Sequence, residues 1–274
     1  TIANPKTAMP LMQMAAAIAQ AQRYELECLQ VISVSRLRSP AETDVSTVMS
    51  RKLLKLTNKL RQQWDIPIHT QIRVSHDISH AILETLEERR IDLLLMGWNG
   101  VNHTPGRVFG SVVDTMIRQA TCDVVLVKMA TQPSTSGDMS FDRWLLPMAG
   151  GPNSRHALRL LPAFLKLADH PAVRPQVRLC YVSSPQETEV KVILLEEAVL
   201  ALKNRVSASV EATALCSTSV PDAIVDLAEK DQCDVIILGA TREGLLQQVM
   251  KGNIPEAIAR QCNCTVILVR GSQD

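Results

Sequence analysis

The sequence predicts an α/β protein built from two tandem, doubly wound domains, each with a five-stranded parallel sheet. Short apolar runs alternate with amphipathic runs of helical period along the whole chain, as expected when helices connect parallel strands. A polar stretch rich in Pro, Ser, Thr and Gly, residues 129–141, interrupts this alternation and is interpreted as a linker. The alternation then begins again, which divides the chain into residues 1–130 and 141–274.

The second half repeats the first when it is shifted by 142 residues. The shift lays Ile91–Gly97 over Cys233–Gly239. It also lays Arg118–Lys128 over Arg260–Arg270, and no gap is needed between residues 76 and 128. A match of this length indicates a duplication that sets two domains of about 130 residues each.

The elements of the first half follow from the spacing of apolar residues. We predict helices at 8–22, 45–64 and 78–90, one more ending near 120, and strands at 25–34, 69–74, 91–96 and 123–127. Leu53, Leu56 and Leu60 recur near helical spacing, whereas residues 69–74 alternate between apolar and polar. Asp77 precedes the third helix and is expected to cap it.

The repeat also predicts that the first half lacks most of its first strand. Asn4–Thr7 matches Gly151–Ser154, which in the second half follows a full strand at 144–147. Almost nothing precedes Asn4 in the first half. Since a parallel sheet is not expected to lose a central strand, we expect the sequence to be cut from a longer chain.

Composition narrows the classes of function. A net charge of +1 argues against nucleic acid as a partner, and no apolar run approaches the roughly 18 residues that span a bilayer. Most of the seven cysteines lie in or beside apolar runs, which indicates reduced thiols in a cytosolic compartment. Cys262 and Cys264 have no second pair at suitable spacing, so we predict no zinc site.

A glycine-rich segment after the fourth predicted strand is the strongest candidate for a binding site. Gly97, Gly100, Gly110 and Ser111 have the spacing Gly-x2-Gly-x9-Gly-Ser, and the next helix begins at Ser111. Glycine lets the backbone approach a ligand, and a helix amino terminus favours an anion. We therefore expect a phosphate, although the segment is neither a Walker A loop nor Gly-x-Gly-x-x-Gly. A glycine-rich turn without a ligand is the alternative.

Two side chains of this segment have open roles. Arg107 is either a further phosphate contact or a solvated surface residue. Ser111 is interpreted as a helix N-cap rather than a nucleophile, and such a cap is compatible with a bound phosphate.

This spacing, placed after the fourth strand of a five-strand α/β unit, resembles the universal stress protein family. The resemblance covers nearly the whole chain as two Rossmann-like copies, and in that family the motif binds the phosphates of ATP. Residues after the first and second strands hold the adenosine. The resemblance implies ATP as the cofactor, with or without Mg²⁺, and a site without catalytic or metal-ligating residues. Its residues would be Ala3, Asn4, Val31, Met96, Gly97, Gly100, Arg107, Gly110, Ser111 and Val112.

Both copies depart from the family pattern. ATP-binding members usually carry an acidic residue in the first loop, and neither copy here has one. In the second copy Arg242 replaces Gly100 and Asn253 replaces Ser111, while Gly239 and Gly252 are kept. A long side chain at Arg242 stands where the backbone would approach the ligand, so we expect weak or no ATP binding in the second copy.

These features favour an adenine-nucleotide sensor with a regulatory role over an enzyme. The first copy also looks like the soluble tails of cyanobacterial membrane transporters, including chloride-channel-type proteins. The expected partner is then the membrane domain of a parent transporter, and the expected location is the cytoplasm or the cytosolic face of a membrane protein. A structural pseudo-dimer without nucleotide and a weak ATPase stay open as alternatives.

The last strand of each copy predicts the assembly. Residues 123–127 and 265–269 are strongly apolar and are expected to pair within one chain. This would form an intramolecular pseudo-dimer with approximate twofold symmetry. A homodimer is the further assembly that the sequence leaves open.

Overall fold

The computed structural model describes residues 1–34, 47–99, 107–130, 140–168, 174–186, 192–246 and 253–272. Most of the predicted linker lies outside these ranges, and so does Gly100. The first repeat comprises α1 (Pro5–Gln22), β1 (Leu26–Ser33), α2 (Thr47–Trp64), β2 (Ile68–Ser75), α3 (Ile78–Glu88), β3 (Leu93–Trp98), α4 (Ser111–Gln119) and β4 (Asp123–Lys128). The second comprises β5 (Arg143–Pro147), α5 (Pro152–Phe164), β6 (Gln176–Ser183), α6 (Val192–Lys203), β7 (Ser209–Cys216), α7 (Val220–Lys230), β8 (Val235–Gly239), α8 (Arg242–Leu246), α9 (Ile254–Gln261) and β9 (Thr265–Arg270).

The strands confirm the predicted α/β fold class of two tandem domains. In the second repeat five parallel strands follow the order β9-β8-β5-β6-β7. In the first repeat the described residues form four strands, with β1 parallel to β2 and β3 parallel to β4. These two pairs are not joined, because no described strand occupies the place that β5 has in the second repeat. The first repeat therefore has four described strands where five were predicted.

Helices cover both faces of the sheets. Because neighbouring residues of a strand point to opposite sides, the strands contribute to two separate apolar cores. Leu95 and Val125 belong to an apolar core with side chains of α1, α2, α5 and α6. Leu94 and Leu126 belong to a second core with side chains of α3, α4, α7 and α9. Trp144, which is 1 % exposed, lies in the first of these cores. The predicted cap of α3 is also confirmed, since Asp77 Oδ1 accepts a hydrogen bond from the His80 N–H at 3.1 Å.

The two repeats are joined by their last strands, as predicted. β4 is antiparallel to β9, and the two strands continue one seven-stranded sheet. Leu126 is paired with Leu268, which is also its equivalent in the repeat, so the approximate twofold axis passes between them. Each repeat thus offers the other the same surface, as the subunits of a symmetric dimer do.

Buried cations repeat this symmetry at the two ends of the strand pair. Arg270 is fully buried, and its Nη2 donates to Ala120 O and Cys122 O, at 2.9 Å each. Lys128, the equivalent of Arg270, donates through Nζ to the carbonyl oxygen of Cys262. Burial lowers the pKa of the Lys128 ammonium group, and nearby cysteine thiols oppose this effect. Each cation therefore reaches across the pseudo-twofold axis to the carboxyl end of a helix in the other repeat.

Candidate functional site

The predicted site lies where β3 ends and α4 begins. β3 extends to Trp98, so Gly97 is a strand residue and not a loop residue, which corrects the predicted end of this strand at Met96. Met96 is buried and Gly97 is partly exposed. A Cβ atom at Gly97 would lie 3.0 Å from Leu11 Cδ1 and 3.9 Å from Thr7 Oγ1. The structure thus brings Gly97 close to the first turns of α1.

The start of α4 has a backbone conformation that only glycine adopts readily. Gly110 has φ 110° and ψ 163°, a region essentially closed to residues with a Cβ. Gly110 is the N-cap of α4, and no side chain makes a cap hydrogen bond there. The prediction that Ser111 is the N-cap is therefore wrong: Ser111 is exposed and is the first helical residue, followed by the partly buried Val112. The amino terminus of α4 thus has no side-chain cap, and its N-cap residue has no Cβ atom.

Buried contacts fix the segment that approaches α4. Val108 and Phe109 are buried, and the Phe109 ring makes an edge contact with Trp98 at a centroid distance of 4.8 Å. The carboxylate of Asp114 accepts the Val108 N–H at 3.0 Å and the Phe109 N–H at 2.9 Å. Arg107 is exposed at the start of this segment. The backbone ahead of Gly110 is thus held by a side chain from the helix that follows it.

Asp114 is a residue that the sequence analysis missed. It is 0 % exposed and lies in the first turn of α4 between the buried residues Val113 and Met116. A carboxylate is acceptor-only, so it suits two N–H donors at once. The available signal was an acidic residue on the apolar face of an amphipathic helix, where a buried charge requires partners.

We expect the Asp114→Asn substitution to destabilise the protein by about 1–3 kcal/mol, because the amide NH₂ would face one of the two backbone donors. The measurement is the free energy of unfolding in urea. Asp222→Asn is the matched control, since Asp222 is an exposed acid in the first turn of α7. Equal costs for both substitutions would contradict a role of Asp114 in holding the segment.

The residues expected to face adenosine are only partly brought together. Ala3 and Asn4 are exposed directly before α1, and Asn4 Oδ1 accepts the Lys6 N–H at 3.0 Å as the cap of that helix. Val31 lies inside β1, two residues before its end, and not after the strand as expected. Val31 packs against the apolar core that also contains Met96. Gly100 lies outside the described residues.

The second repeat caps the equivalent helix with a side chain. The segment after β8 forms the short helix α8, which begins at Arg242 and buries Leu245. Asn253, the equivalent of Ser111, caps α9 through a hydrogen bond from the Glu256 N–H at 3.1 Å. The Asn253 amide also donates to Leu245 O. In the second repeat a side chain therefore accepts a hydrogen bond from the first turn of the helix, whereas no side chain caps the equivalent helix of the first repeat.

No three His, Cys, Asp or Glu side chains in the described ranges are grouped so that they could ligate a metal ion. None of the described helices combines the length and the apolar character needed to cross a bilayer.

This geometry agrees with the comparison with known families. The profile of the Universal stress protein family matches residues 2–128 and again 141–270. The chain therefore belongs to the Universal stress protein family and carries two of its domains in tandem.

Two curated relatives are similar to this chain over different lengths. The Na(+)/H(+) antiporter NhaS5 of Synechocystis is 25 % identical over 275 residues, which is 97 % of this chain and 37 % of the antiporter. A universal stress protein of Methanocaldococcus jannaschii is 31 % identical over 78 residues, 28 % of this chain and 45 % of that protein. The chain thus spans less than half the length of either relative.

Solved structures support the same fold. A universal stress protein of Archaeoglobus fulgidus has a TM-score of 0.61 at 14 % identity, covering 96 % of this chain and 93 % of that one. A putative universal stress protein of Pseudomonas aeruginosa has a TM-score of 0.57 at 13 % identity, covering 96 % and 88 %. At these identities the likeness concerns the fold.

Proposed function

We propose that the chain is a regulatory module that binds an adenine nucleotide, and that its first repeat binds ATP with or without Mg²⁺. The start of α4 is the observation that carries this proposal. Gly110 leaves the space ahead of Ser111 without a Cβ, and no side chain caps the helix. A phosphate there meets the amide groups of the first turn and the positive end of the helix dipole.

The pre-formed backbone supports this function. The hydrogen bonds from Val108 and Phe109 to Asp114 fix the segment before a ligand arrives. Binding then orders fewer groups, which favours affinity. We assign phosphate binding to Gly97, Gly100, Gly110 and Ser111, with Met96, Val112 and Arg107 beside them and Ala3, Asn4 and Val31 on the adenosine side. The second repeat, in which Asn253 caps the equivalent helix, serves as the structural partner.

The likeness to NhaS5 suggests a context for this module. That relative is a Na(+)/H(+) antiporter, and the similar segment is 37 % of its length. We propose that this chain is the cytosolic regulatory part of a larger transporter and contacts its membrane domain. A nucleotide then changes transport only if it binds two states of the transporter with different affinity.

One observation favours a scaffold without nucleotide as the second candidate. Asn4 is the one amide side chain of residues 1–4, and its Oδ1 already accepts the Lys6 N–H as the α1 cap. In this alternative the first repeat contributes only its half of the pseudo-dimer. A dedicated ATPase is a weaker candidate, because among the described residues we identify none positioned to orient an attacking water.

Isothermal titration calorimetry of the protein with ATP, ADP and AMP, with Mg²⁺ and with EDTA, tests the proposal. We expect ATP binding at one site per chain. Gly110→Ala is expected to weaken it at least about tenfold, because a residue with a Cβ is strained at φ 110° and the backbone at the start of α4 would change conformation. Gly100→Arg, which copies the second repeat, is expected to have a similar effect.

Gly151→Ala is the matched control. Gly151 is the N-cap glycine of α5, has φ −81°, and a Cβ there would meet nothing within 4 Å. We expect this variant to bind ATP as the parent does. No binding by the parent protein would favour the scaffold, whereas steady phosphate release that Gly110→Ala abolishes would favour the ATPase.

A further inference from the structure

Helix α6 exposes two large apolar side chains. Ile193 is 71 % exposed and Leu200 is 63 % exposed. They lie seven residues apart, which is two helical turns, so they belong to one stripe along the helix. Leu195 and Leu202, at 3 % and 1 %, are buried in the apolar core on the opposite side. α6 therefore carries apolar residues outside the face that it buries.

The equivalent helix of the first repeat, α2, has polar residues at these two positions. The 142-residue shift that relates the repeats also aligns the two buried leucines of α2 with the two buried leucines of α6. It places Arg51 and Asn58, both exposed, where α6 has Ile193 and Leu200. The fold thus accepts polar residues here, and packing within a repeat does not require the apolar ones. Exposed apolar residues that the fold does not require are characteristic of a surface that binds a partner.

Strand β7, which lies beside α6, is the outer strand of the seven-stranded sheet. Among the described residues it pairs with β6 alone. Its eight residues include neither Pro nor Lys, which proteins commonly place on an edge strand to prevent further pairing. Ala212 and Ala214 are exposed and lie on the same face of the sheet as the buried Val210, which is the face that α6 covers. The outer edge of β7 is thus open to a further strand.

An open groove of about 640 Å³ runs between α6 and β7. Apolar residues of both elements line it, among them Leu200 and Ala212. The groove, the exposed stripe of α6 and the outer edge of β7 are continuous. We call them together the α6–β7 surface, formed by Val192–Lys203 and Ser209–Cys216.

The charges on the exposed stripe of α6 are self-complementary. Glu197 and Lys203 are both exposed, and each lies three residues from Leu200, on opposite sides of it. If two α6 helices pack antiparallel about a twofold axis at Leu200, Glu197 of each copy faces Lys203 of the other. The two Leu200 side chains then meet on the axis. Such an arrangement is isologous, since both copies use the same residues, and opposite charges fix its register.

The same axis suits the strand edges. A twofold axis perpendicular to the sheet brings β7 of each copy beside β7 of the other in antiparallel orientation, where backbone groups of the two edges can form a ladder. The chain already uses this kind of contact internally, because β4 and β9 pair antiparallel and continue one sheet.

We propose that the α6–β7 surface binds a second copy of this chain and forms an isologous homodimer. In this dimer the two β7 strands pair antiparallel, and the two α6 helices cover the pair on one face. Ile193 and Leu200 lose their contact with water there, which supplies the apolar contribution to association. The contact is separate from the pairing of β4 with β9, which lies inside each copy.

Sedimentation of the 274-residue chain over a range of concentrations tests this proposal. We expect a reversible dimer with a dissociation constant on the order of 10 µM, because the contact involves one helix and one strand of each copy. Leu200→Glu should weaken the dimer at least about tenfold, since it places two carboxylates at the axis. Asn58→Glu, at the equivalent position of α2, is the matched control and should leave the dimer unchanged. Both positions are exposed, so neither variant should shift the urea midpoint strongly.

A charge exchange tests the register of the two helices. Glu197→Lys alone and Lys203→Glu alone should each weaken the dimer, because each sets like charges opposite one another. The double variant, with both substitutions, should restore the affinity of the parent chain. A double variant that is as weak as the sum of the single variants would contradict the antiparallel arrangement about Leu200.

Three results would overturn the proposal. One is a parent chain that stays monomeric at about 200 µM, well above the expected dissociation constant. Another is a dimer that Leu200→Glu does not weaken, since it would use a different surface. The third is a monomer that binds vesicles of neutral lipid and loses this binding in Leu200→Glu, which would assign the surface to a membrane. All measurements are made without nucleotide, so their outcome is independent of the proposed function.

Discussion

Gly239→Ala is expected to destabilise the protein by about 3 kcal/mol, at the upper end of the cost of overpacking a core. Gly239 ends β8, where the first turn of α5 crosses it. A Cβ atom at this position would lie 2.1 Å from both the carbonyl carbon and the carbonyl oxygen of Asn153, and 2.4 Å from Ser154 N. These are backbone atoms of a helix, so no side-chain rotation removes the clash.

The first turn of α5 has little freedom to move away. Asn153 is 4 % exposed. Its Oδ1 accepts a hydrogen bond at 2.8 Å from the N–H of Gly271, the residue directly after β9. Further along the helix Leu161 and Phe164 are 0 % exposed in the apolar core. A shift of α5 would therefore disturb its contacts with both β8 and β9.

Gly97→Ala is the matched control, because the 142-residue shift makes Gly97 the equivalent of Gly239. Its added Cβ would meet the end of the flexible Leu11 side chain at 3.0 Å, so we expect a cost below about 1 kcal/mol. The measurement is the urea midpoint at an unchanged m value. Equal losses in the two variants would refute the idea that close backbone approach at β8 sets the cost.

The second large effect is expected for Arg270→Met. The substitution removes charge-assisted hydrogen bonds to Ala120 O, Cys122 O and Gly271 O, and the first two acceptors lose the donor that crosses between the repeats. Hydrogen bonds to charged groups contribute about 1.5–3 kcal/mol each, and removal of the buried charge offsets part of the loss. We expect a net cost of about 3 kcal/mol in the free energy of unfolding.

Arg260→Met is the control for this substitution. Arg260 pairs with Glu256 at 3.4 Å, but its side chain is 68 % exposed, so its loss should cost below about 1 kcal/mol. Arg270→Lys should fall between the two, since an ammonium group lacks the planar fork of the guanidinium. Similar urea midpoints for Arg270→Met and Arg260→Met would show that the cross-repeat hydrogen bonds contribute little.

The sequence predicts those features that depend on local period or on repetition. Alternating runs predict the α/β class, and the 142-residue shift predicts that β4 and β9 are equivalent apolar strands, which the structure shows as an antiparallel pair. The same shift aligned Lys128 with Arg270. The sequence thus shows that a cation ends each of the two equivalent strands. Their acceptors lie 134 and 150 residues away in the chain, and no local pattern encodes such a contact.

The sequence predicts where α4 begins but not how its amino terminus is capped. Glycine spacing located the start of α4, yet the sequence assigned the cap to Ser111 because serine is a preferred capping residue. The structure has Gly110 there, since its φ of 110° excludes other residues. Asp114 was missed because its partners are backbone N–H groups, which leave no trace in side-chain identity. Helix α8 was missed because a five-residue helix is too short for a periodic signal.

The antiparallel contact between β4 and β9 has a consequence for how the molecule responds to dilution. In a dimer of separate chains this contact would dissociate as the protein concentration falls, whereas here both strands belong to one polypeptide. Closing the contact is a unimolecular event at a high effective concentration. The pairing of the two repeats is therefore independent of protein concentration, although the second repeat differs from the first at Arg242 and Asn253.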